Sequence, residues 1–270
     1  IDSKVLLYDE NKNAAKSALI KLEKILTRLI EKDRINTAKK DFILSNIEIL
    51  DSLDGVQDSD LIIEAIIEDS NIKKELFLKL ESIVSKDCVF ASNTSSISIT
   101  SLASALENPE RFIGIHFFNP APIMPLVEIV PALQTKESLV QEIHDLLLHW
   151  NKSPVIAKDT PGFIVNRIAR PFYSEALRIY EEQIADFATI DFAMKEIGGF
   201  KMGPFELMDF IGNDVNYAVT ESVFKSFYYD PRYKPSFTQK QYADAGWHGR
   251  KTKKGYYDYT DNRNSRMPLK

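Results

Sequence analysis

The sequence predicts an α/β protein whose doubly wound sheet is incomplete, followed by an all-helical second domain. Three observations predict it. Short apolar runs alternate with helix-spaced segments as far as about residue 158, the pattern of a layered domain with a largely parallel sheet. Beyond that point strand-like runs stop, and helical patterns broken by turn residues continue to about residue 245. At 270 residues, 44% hydrophobic and 27% charged, the chain has material for one large or two moderate domains and lies far from disordered compositions.

The first strand is residues 5–8, ending at Asp9, and the pattern then switches to helical spacing at Ala15, Ala18, Leu19, Leu22, Ile25, Leu26 and Leu29. This predicts a helix over 14–32. Further strands are expected at 47–50, 61–65, 89–92, 112–116 and 126–130, with helices at about 72–85, 98–106 and 136–150. A domain boundary is placed near residue 158, with Asp159-Thr160-Pro161 as a helix start, because a capping side chain precedes a first-turn proline. In the helical half, Gly198-Gly199, Gly203-Pro204 and Asp230-Pro231 mark turns. The tail 261–270 is polar and reads as loose.

Charge and cysteine usage exclude several classes. With 34 Lys+Arg against 39 Asp+Glu the net charge is −5, which gives no global attraction for nucleic acid or an anionic membrane. Neither is expected as a partner. The lone Cys88 cannot form an internal disulfide, and no apolar run is long enough to span a bilayer. A soluble protein of a reducing, cytoplasmic compartment is expected. The chain starts at Ile1, without a basic or apolar leader, and reads like the middle of a domain.

Asp9, at the carboxyl end of a strand, stands where dinucleotide-binding sheets place a carboxylate on the adenosine ribose; a simple helix cap explains it as well. Of the 10 glycines none precedes Gly55, so the glycine fingerprint expected about 20 residues before such an acid does not lie upstream of Asp9. The stretch from Gly114 to Val130 is richer. His116 ends one apolar run, Glu128 lies inside the next, and Pro120, Pro122 and Pro125 stiffen the connector. A carboxylate within Leu-Val-Glu-Ile-Val is hard to explain by packing, since charge is rarely buried without a partner. A neutral imidazole oriented by a buried carboxylate is the usual general base, and a structural histidine is the competing reading. Ser95, Ser96 and Ser98 read first as helix caps. Asn166 lies among Phe163, Ile164, Val165 and Ile168 and needs a partner. On the first helix Lys21, Lys24, Arg28 and Lys32 form a cationic stripe suited to phosphates or to solvent, diluted by Glu23 and Glu31. Metal chemistry is not expected, because His144 and His149 are five apart rather than four.

Taken together and in order, "FASNTSS", "HFFNP", "LVEIV", "DTPGFIVNR" and "MGPFELMD", with the closing Gly249–Tyr256 motif "GRKTKKGY", strongly resemble the L-3-hydroxyacyl-CoA dehydrogenase family over nearly the whole chain. The resemblance implies a Rossmann-like NAD-binding domain over 1–158, lacking its N-terminal glycine-rich strand-loop-helix, and a helical substrate and dimerisation domain over 159–270. It implies His116 as catalytic base with Glu128 as its partner, and Ser95 and Asn166 on the substrate's 3-oxygen. For NAD it implies Asp9 on the ribose, Glu68 and Lys73 beside the dinucleotide, and Ser95, Asn119 and Lys251. For the CoA part it implies Lys32 and Ser95, although Ile25 stands where the family has a second, serine contact. Asp9 without a following arginine favours NAD over NADP. The expected reaction is reversible oxidation of an L-3-hydroxyacyl-CoA. With no glycine loop in the chain, poor NAD binding is expected. A gulonate-type hydroxyacid dehydrogenase, or a non-catalytic crystallin-like protein on the same scaffold, are the alternatives. Phe172, Tyr173, Leu177, Tyr180, Phe205, Leu207 and Phe210 are expected to be exposed and to form a homodimer face.

Overall fold

In the computed structural model, which describes residues 3–260, strand β1 (Val5–Leu7) pairs in parallel with β2 (Ile47–Ile49). A second sheet of five strands runs β3 (Leu61–Glu64), β4 (Val89–Ser92), β5 (Phe112–Phe117), β6 (Leu126–Pro131) and β7 (Ser153–Ile156), parallel throughout except between β5 and β6. Among the described residues no strand joins β1 to β3, and the strands form two separate sheets. The tail at 261–270 lies outside the described residues.

The chain divides into two units. One holds residues up to Thr94 together with Ile99–Ile156; the other holds Ser95–Ser98 with the chain from Ala157 onward.

Helix α1 (Lys12–Ile30) starts where Asn11 accepts the Asn13 N–H, and Asp9 in turn accepts the Asn11 N–H at 2.8 Å. Helix α2 (Thr37–Ser45), capped by Asn36, has no pattern in the sequence to announce it, because it buries no side chain. Helix α3 (Ser70–Glu81) is capped by Asp69. Helix α4 (Ile99–Ala103) is shorter than the spacing predicts, and α5 (Glu137–His149) follows β6.

Side chains alternate across a strand, and β5 and β6 show what this achieves. Ile113, Ile115, Val127 and Ile129 face α5, where Leu139, Ile143 and Leu147 recur every four residues, in one buried cluster. On the opposite face stand Phe112, which meets Phe77 of α3 edge-on at 4.7 Å, then Gly114, then His116. Helices therefore cover both faces. Gly114 leaves room for α4: a Cβ there would lie 2.8 Å from the Ile99 side chain and 2.9 Å from Val130. Gly114→Ala is expected to cost about 1–3 kcal/mol by overpacking, read as a lower urea midpoint; an unchanged midpoint contradicts the packing. Strand β7 is an edge strand, which is why it tolerates Pro154 and why an apolar-run reading passes over it.

The helical unit begins with a turn, not a helix. Phe163 N–H bonds Thr160 O at 2.9 Å, Gly162 and Phe163 take positive φ of 73° and 48°, and α6 (Val165–Glu181) starts only afterwards. The cap-plus-proline pattern at Asp159-Thr160-Pro161 thus precedes a left-handed turn that delays the helix. Helices α7 (Phe187–Glu196), α8 (Pro204–Ile211), α9 (Asn213–Ser226) and α10 (Phe237–Asp244) follow. The core of this unit gathers Tyr173 and Leu177 of α6 with Phe187, Ile190, Phe205, Met208, Tyr256 and Tyr257. Tyr173, Leu177 and Phe205 are therefore core residues, at 4%, 2% and 0% exposure, not surface ones. Tyr173 and Leu177 lie four apart on the helix face turned inward. Phe172, Tyr180 and Leu207 are partly buried against the same core, and only Phe210 of that expected set is exposed.

Two buried carboxylates tie this unit together. Asp191 accepts the N–H groups of Phe205 and Glu206 at the start of α8 and the Tyr257 hydroxyl. Asp209 accepts four donors: Tyr256 N and Tyr257 N, the Tyr259 hydroxyl and the Asn213 carboxamide. Gly255 permits the approach, since a Cβ there would sit 2.1 Å from Asp209 Oδ1. The "MGPFELMD" and "GRKTKKGY" motifs are two halves of one knot.

Burial holds the Asp209 carboxyl above its usual range, at about 6, against the pull of its four donors. In the unfolded chain it titrates near 3.8, so between these values the folded state binds the extra proton. The contribution of this group to stability is complete below about pH 4 and is lost as pH rises through about 6. The stability advantage of the protein over Asp209→Asn should therefore narrow between pH 4.5 and 7.5, by roughly 2 kcal/mol. An advantage constant across that range contradicts the burial of the charge.

Candidate active site

His116 and Glu128 are directly opposite in the antiparallel β5–β6 register, so their side chains leave the same face of the sheet. Nδ1 of His116 lies 2.7 Å from Oε2 of Glu128, with the glutamate side chain fully buried and the histidine 6% exposed. An ionised carboxylate only accepts, so this contact places a proton on Nδ1 and leaves Nε2 as the basic nitrogen. The Phe118 ring packs on the imidazole at 4.6 Å between centroids. The pair thus has the geometry of an oriented acid–base imidazole.

On the same face, Glu64 pairs in register with Ser92, and Ser92 with Gly114. The Ser92 hydroxyl donates to Glu64 Oε2 at 2.7 Å, and Lys73 Nζ meets Glu64 Oε1 at 2.6 Å and Glu68 Oε2 at 3.4 Å. The Thr94 hydroxyl donates to Glu68 Oε1 at 2.6 Å. The structure therefore brings Glu68 and Lys73 together. It adds Glu64, which sequence reasoning missed even though its signal is the one that singled out Glu128: a carboxylate at the end of an apolar strand.

Asp9, Glu68 and Asn119 follow the carboxyl ends of β1, β3 and β5. Asp9 and Asn119 are exposed, and the Glu68 side chain is 38% exposed. Ligands of open α/β sheets lie along that edge, and these accessible polar groups fit the ribose and nicotinamide ends of a dinucleotide. No glycine-rich turn for its phosphates occurs among the described residues, where Gly55 is the first glycine. Lys32 lies exposed just beyond the end of α1, below the exposed Lys21, Lys24 and Arg28.

In the helical unit, Ser98 donates to Asp159 Oδ2 at 2.8 Å and Ser222 to Ser96 Oγ at 3.3 Å. Ser95 is half-buried beside them, and Asn166 is half-buried in the first turn of α6. A cavity of about 310 Å³ opens here, lined among others by Ser96, Ser98, Asp159, Thr160 and Lys225. Lys251 is exposed and ion-paired with Asp214 at 2.6 Å. The Cys88 thiol is buried, which pushes it up to about 11; it is inert at neutral pH.

Residues 2–160 match the sequence model described as "3-hydroxyacyl-CoA dehydrogenase, NAD binding domain", and residues 162–259 match "3-hydroxyacyl-CoA dehydrogenase, C-terminal domain". A 3-hydroxyadipyl-CoA dehydrogenase of Escherichia coli is 42% identical over 98% of this chain and 56% of its own length. A 3-hydroxybutyryl-CoA dehydrogenase of Clostridioides difficile is 40% identical over 94% of this chain and 90% of its own. Among solved structures, 3-hydroxybutyryl-CoA dehydrogenase from E. coli superposes with a TM-score of 0.92 at 41% identity, covering 99% of this chain and 57% of that one. The Ralstonia eutropha (S)-3-hydroxybutyryl-CoA dehydrogenase gives 0.89 at 37%, covering 96% and 91%. The chain thus spans little more than half of the two E. coli proteins and about nine-tenths of the other two. Both of its halves carry the family's domain signatures, in the family's order and on the family's fold, and the chain belongs to the 3-hydroxyacyl-CoA dehydrogenase family.

Proposed function

We propose that this chain performs the NAD-dependent, reversible oxidation of an L-3-hydroxyacyl-CoA to the 3-ketoacyl-CoA. The observation that carries the proposal is the His116–Glu128 pair, a histidine whose Nδ1 is held by a fully buried carboxylate. In the oxidation direction His116 Nε2 accepts the proton of the substrate's 3-hydroxyl while Glu128 stabilises the imidazolium that results. NAD, when bound, supplies the acceptor for the hydride that leaves C3 in the same step. Ser95 and Asn166 hold the 3-oxygen, so that the C3–H bond and the hydroxyl proton are presented to their acceptors together. In reduction the same imidazolium returns the proton to the carbonyl oxygen.

Asp9 binds the adenosine ribose and its charge disfavours the 2′-phosphate of NADP. Glu68 and Lys73 lie beside the dinucleotide, and Asn119 serves the nicotinamide. Ser95 and Lys251 take the further cofactor contacts that the family resemblance implies, and Lys32 and Ser95 take the CoA part. Together these roles divide the chain near residue 158 into a cofactor domain and a substrate domain.

The helical unit carries Ile168, Ile184, Phe192, Ile197 and Phe237 at 64–87% exposure, which supports a homodimer through that unit. A cytoplasmic setting agrees with the single buried thiol.

The test is a substrate comparison with the full-length protein. NADH-dependent reduction of acetoacetyl-CoA should proceed at ordinary dehydrogenase rates, with L-gulonate oxidised negligibly. Turnover of free gulonate with none of acetoacetyl-CoA would assign the site to the sugar-acid reaction instead, and no turnover of either would leave a non-catalytic scaffold.

A further inference from the structure

The helical unit holds a buried cation without a counter-ion. Three Lys or Arg side chains are buried among the described residues, and two of them are paired: Lys73 meets Glu64 at 2.6 Å and Arg111 meets Glu81 at 3.1 Å. Arg170 of α6 is 3% exposed, and no carboxylate acts on it. A guanidinium stays charged in a protein, and a buried charge is costly unless it is paired. Its three hydrogen bonds all leave from Nη1 and all reach neutral oxygens of α9: Asn216 O at 2.9 Å, Thr220 Oγ1 at 2.8 Å and Asn216 Oδ1 at 3.4 Å. Nε is buried with no hydrogen-bond partner. The Nε–Nη2 edge, on which a guanidinium takes a carboxylate through two parallel bonds, is therefore unused. Asn216 Oδ1 also accepts from Gln239 Nε2 at 2.9 Å, which turns Nδ2 the other way; Nδ2 approaches the Tyr173 hydroxyl without completing a hydrogen bond. The Tyr173 ring, 4.9 Å from the guanidinium carbon, offers Arg170 a cation–π contact but no acceptor for Nε.

Arg170 follows Asn166 by four residues, so the two share a face of α6 about 6 Å apart along the axis, and side chains of a helix lean toward its N-terminus, here toward Asn166. That face passes from half-buried at Asn166 to buried at Arg170. In a straight acyl chain of six carbons the last carbon lies three bonds beyond C3, a span of about 4 Å at ordinary C–C lengths. We propose that the Nε–Nη2 edge of Arg170 receives the terminal carboxylate of a dicarboxylic 3-hydroxyacyl-CoA, so that this residue selects acyl groups of about six carbons ending in a carboxylate over those ending in a methyl group. The proposal rests on the reading above that Asn166 holds the 3-oxygen, and it names the substrate class of that site. The carboxylate supplies the counter-charge and the acceptor that Arg170 lacks, and Asn216 Nδ2 donates to the same anion. A methyl group leaves both donors unpaired.

Reduction of 3-oxohexanoyl-CoA and of 3-oxoadipyl-CoA by NADH compares a methyl with a carboxylate at one chain length. In the full-length wild type kcat/KM should favour the carboxylate-ended substrate by at least about tenfold, because a site whose buried donors await a partner rejects the analogue that cannot supply one. Arg170→Met should bring the ratio to about one. Arg170→Lys, which keeps the charge without the planar fork, should leave it in between. The ratio compares two substrates on one protein, so a partial loss of fold lowers both values alike and does not move it. A wild-type ratio of one or less, or a tenfold ratio that survives in Arg170→Met, would overturn the assignment, and so would an unmoved ratio in Arg170→Lys. Undiminished turnover of both substrates by Asn166→Ala would instead overturn the reading of Asn166, and no reduction of either by the wild type would overturn the dehydrogenase reading itself.

Discussion

His116→Ala should lower kcat for acetoacetyl-CoA reduction by about a thousandfold, within the range that a positioned general acid–base contributes, while leaving the fold and the affinity for NADH intact. The effect is local. The imidazole is only 6% exposed and lies on the β5 face that carries Gly114, and its truncation leaves the apolar cluster of Ile113, Ile115, Val127 and Ile129 on the opposite face untouched. Glu128 then loses its imidazole and is left in a fully buried position. Stability should fall by a few kcal/mol as a result, so the assay belongs well below the melting transition. A large rise in KM at unchanged kcat would mean that His116 binds substrate without moving its proton.

Asp209→Ala should destabilise the helical unit by about 3 kcal/mol or more near neutral pH, although the carboxylate is itself costly to bury. The asymmetry is that of buried hydrogen bonds in general: deleting the acceptor leaves Tyr256 N–H and Tyr257 N–H unpaired in the core, each at the full cost of desolvation. Tyr256 is fully buried between Phe187, Phe205 and Tyr242, so water cannot replace the lost partner without loosening the aromatic cluster. Denaturant unfolding of this variant should show a lower midpoint, and the first segment to gain hydrogen exchange should be 249–259. An unchanged midpoint would mean that the closing motif is held by its aromatic contacts alone.

What could be read from the sequence follows from the range over which each signal acts. The strands of the sheet and the His116–Glu128 pair are legible because apolar runs are local, and because a charge inside one is conspicuous. Glu64 carries the same signal in Leu-Ile-Ile-Glu-Ala, but it ends its strand, where an acid also reads as the start of a loop. The knot of Asp191 and Asp209 is not legible as chemistry. Apart from Asn213, four residues beyond Asp209, its donors come from 14 to 66 residues away in the chain, and nothing near either aspartate announces those. Helix α2 buries nothing and β7 contains a proline, so neither shows a period. Tyr173, Leu177 and Phe205 show the opposite failure: their apolar character is plain, but which face of the helix turns inward depends on the partners.

In the proposed mechanism, a carboxylate buried in β6 is what makes His116 a base. Glu128→Gln tests this most directly, since it keeps the shape of the side chain and removes only the charge. Measured as NADH consumption with saturating acetoacetyl-CoA, its kcat should fall by at least about a hundredfold with NADH affinity unchanged, because an amide can neither stabilise the imidazolium nor hold the same tautomer. Wild-type turnover in Glu128→Gln would contradict the account.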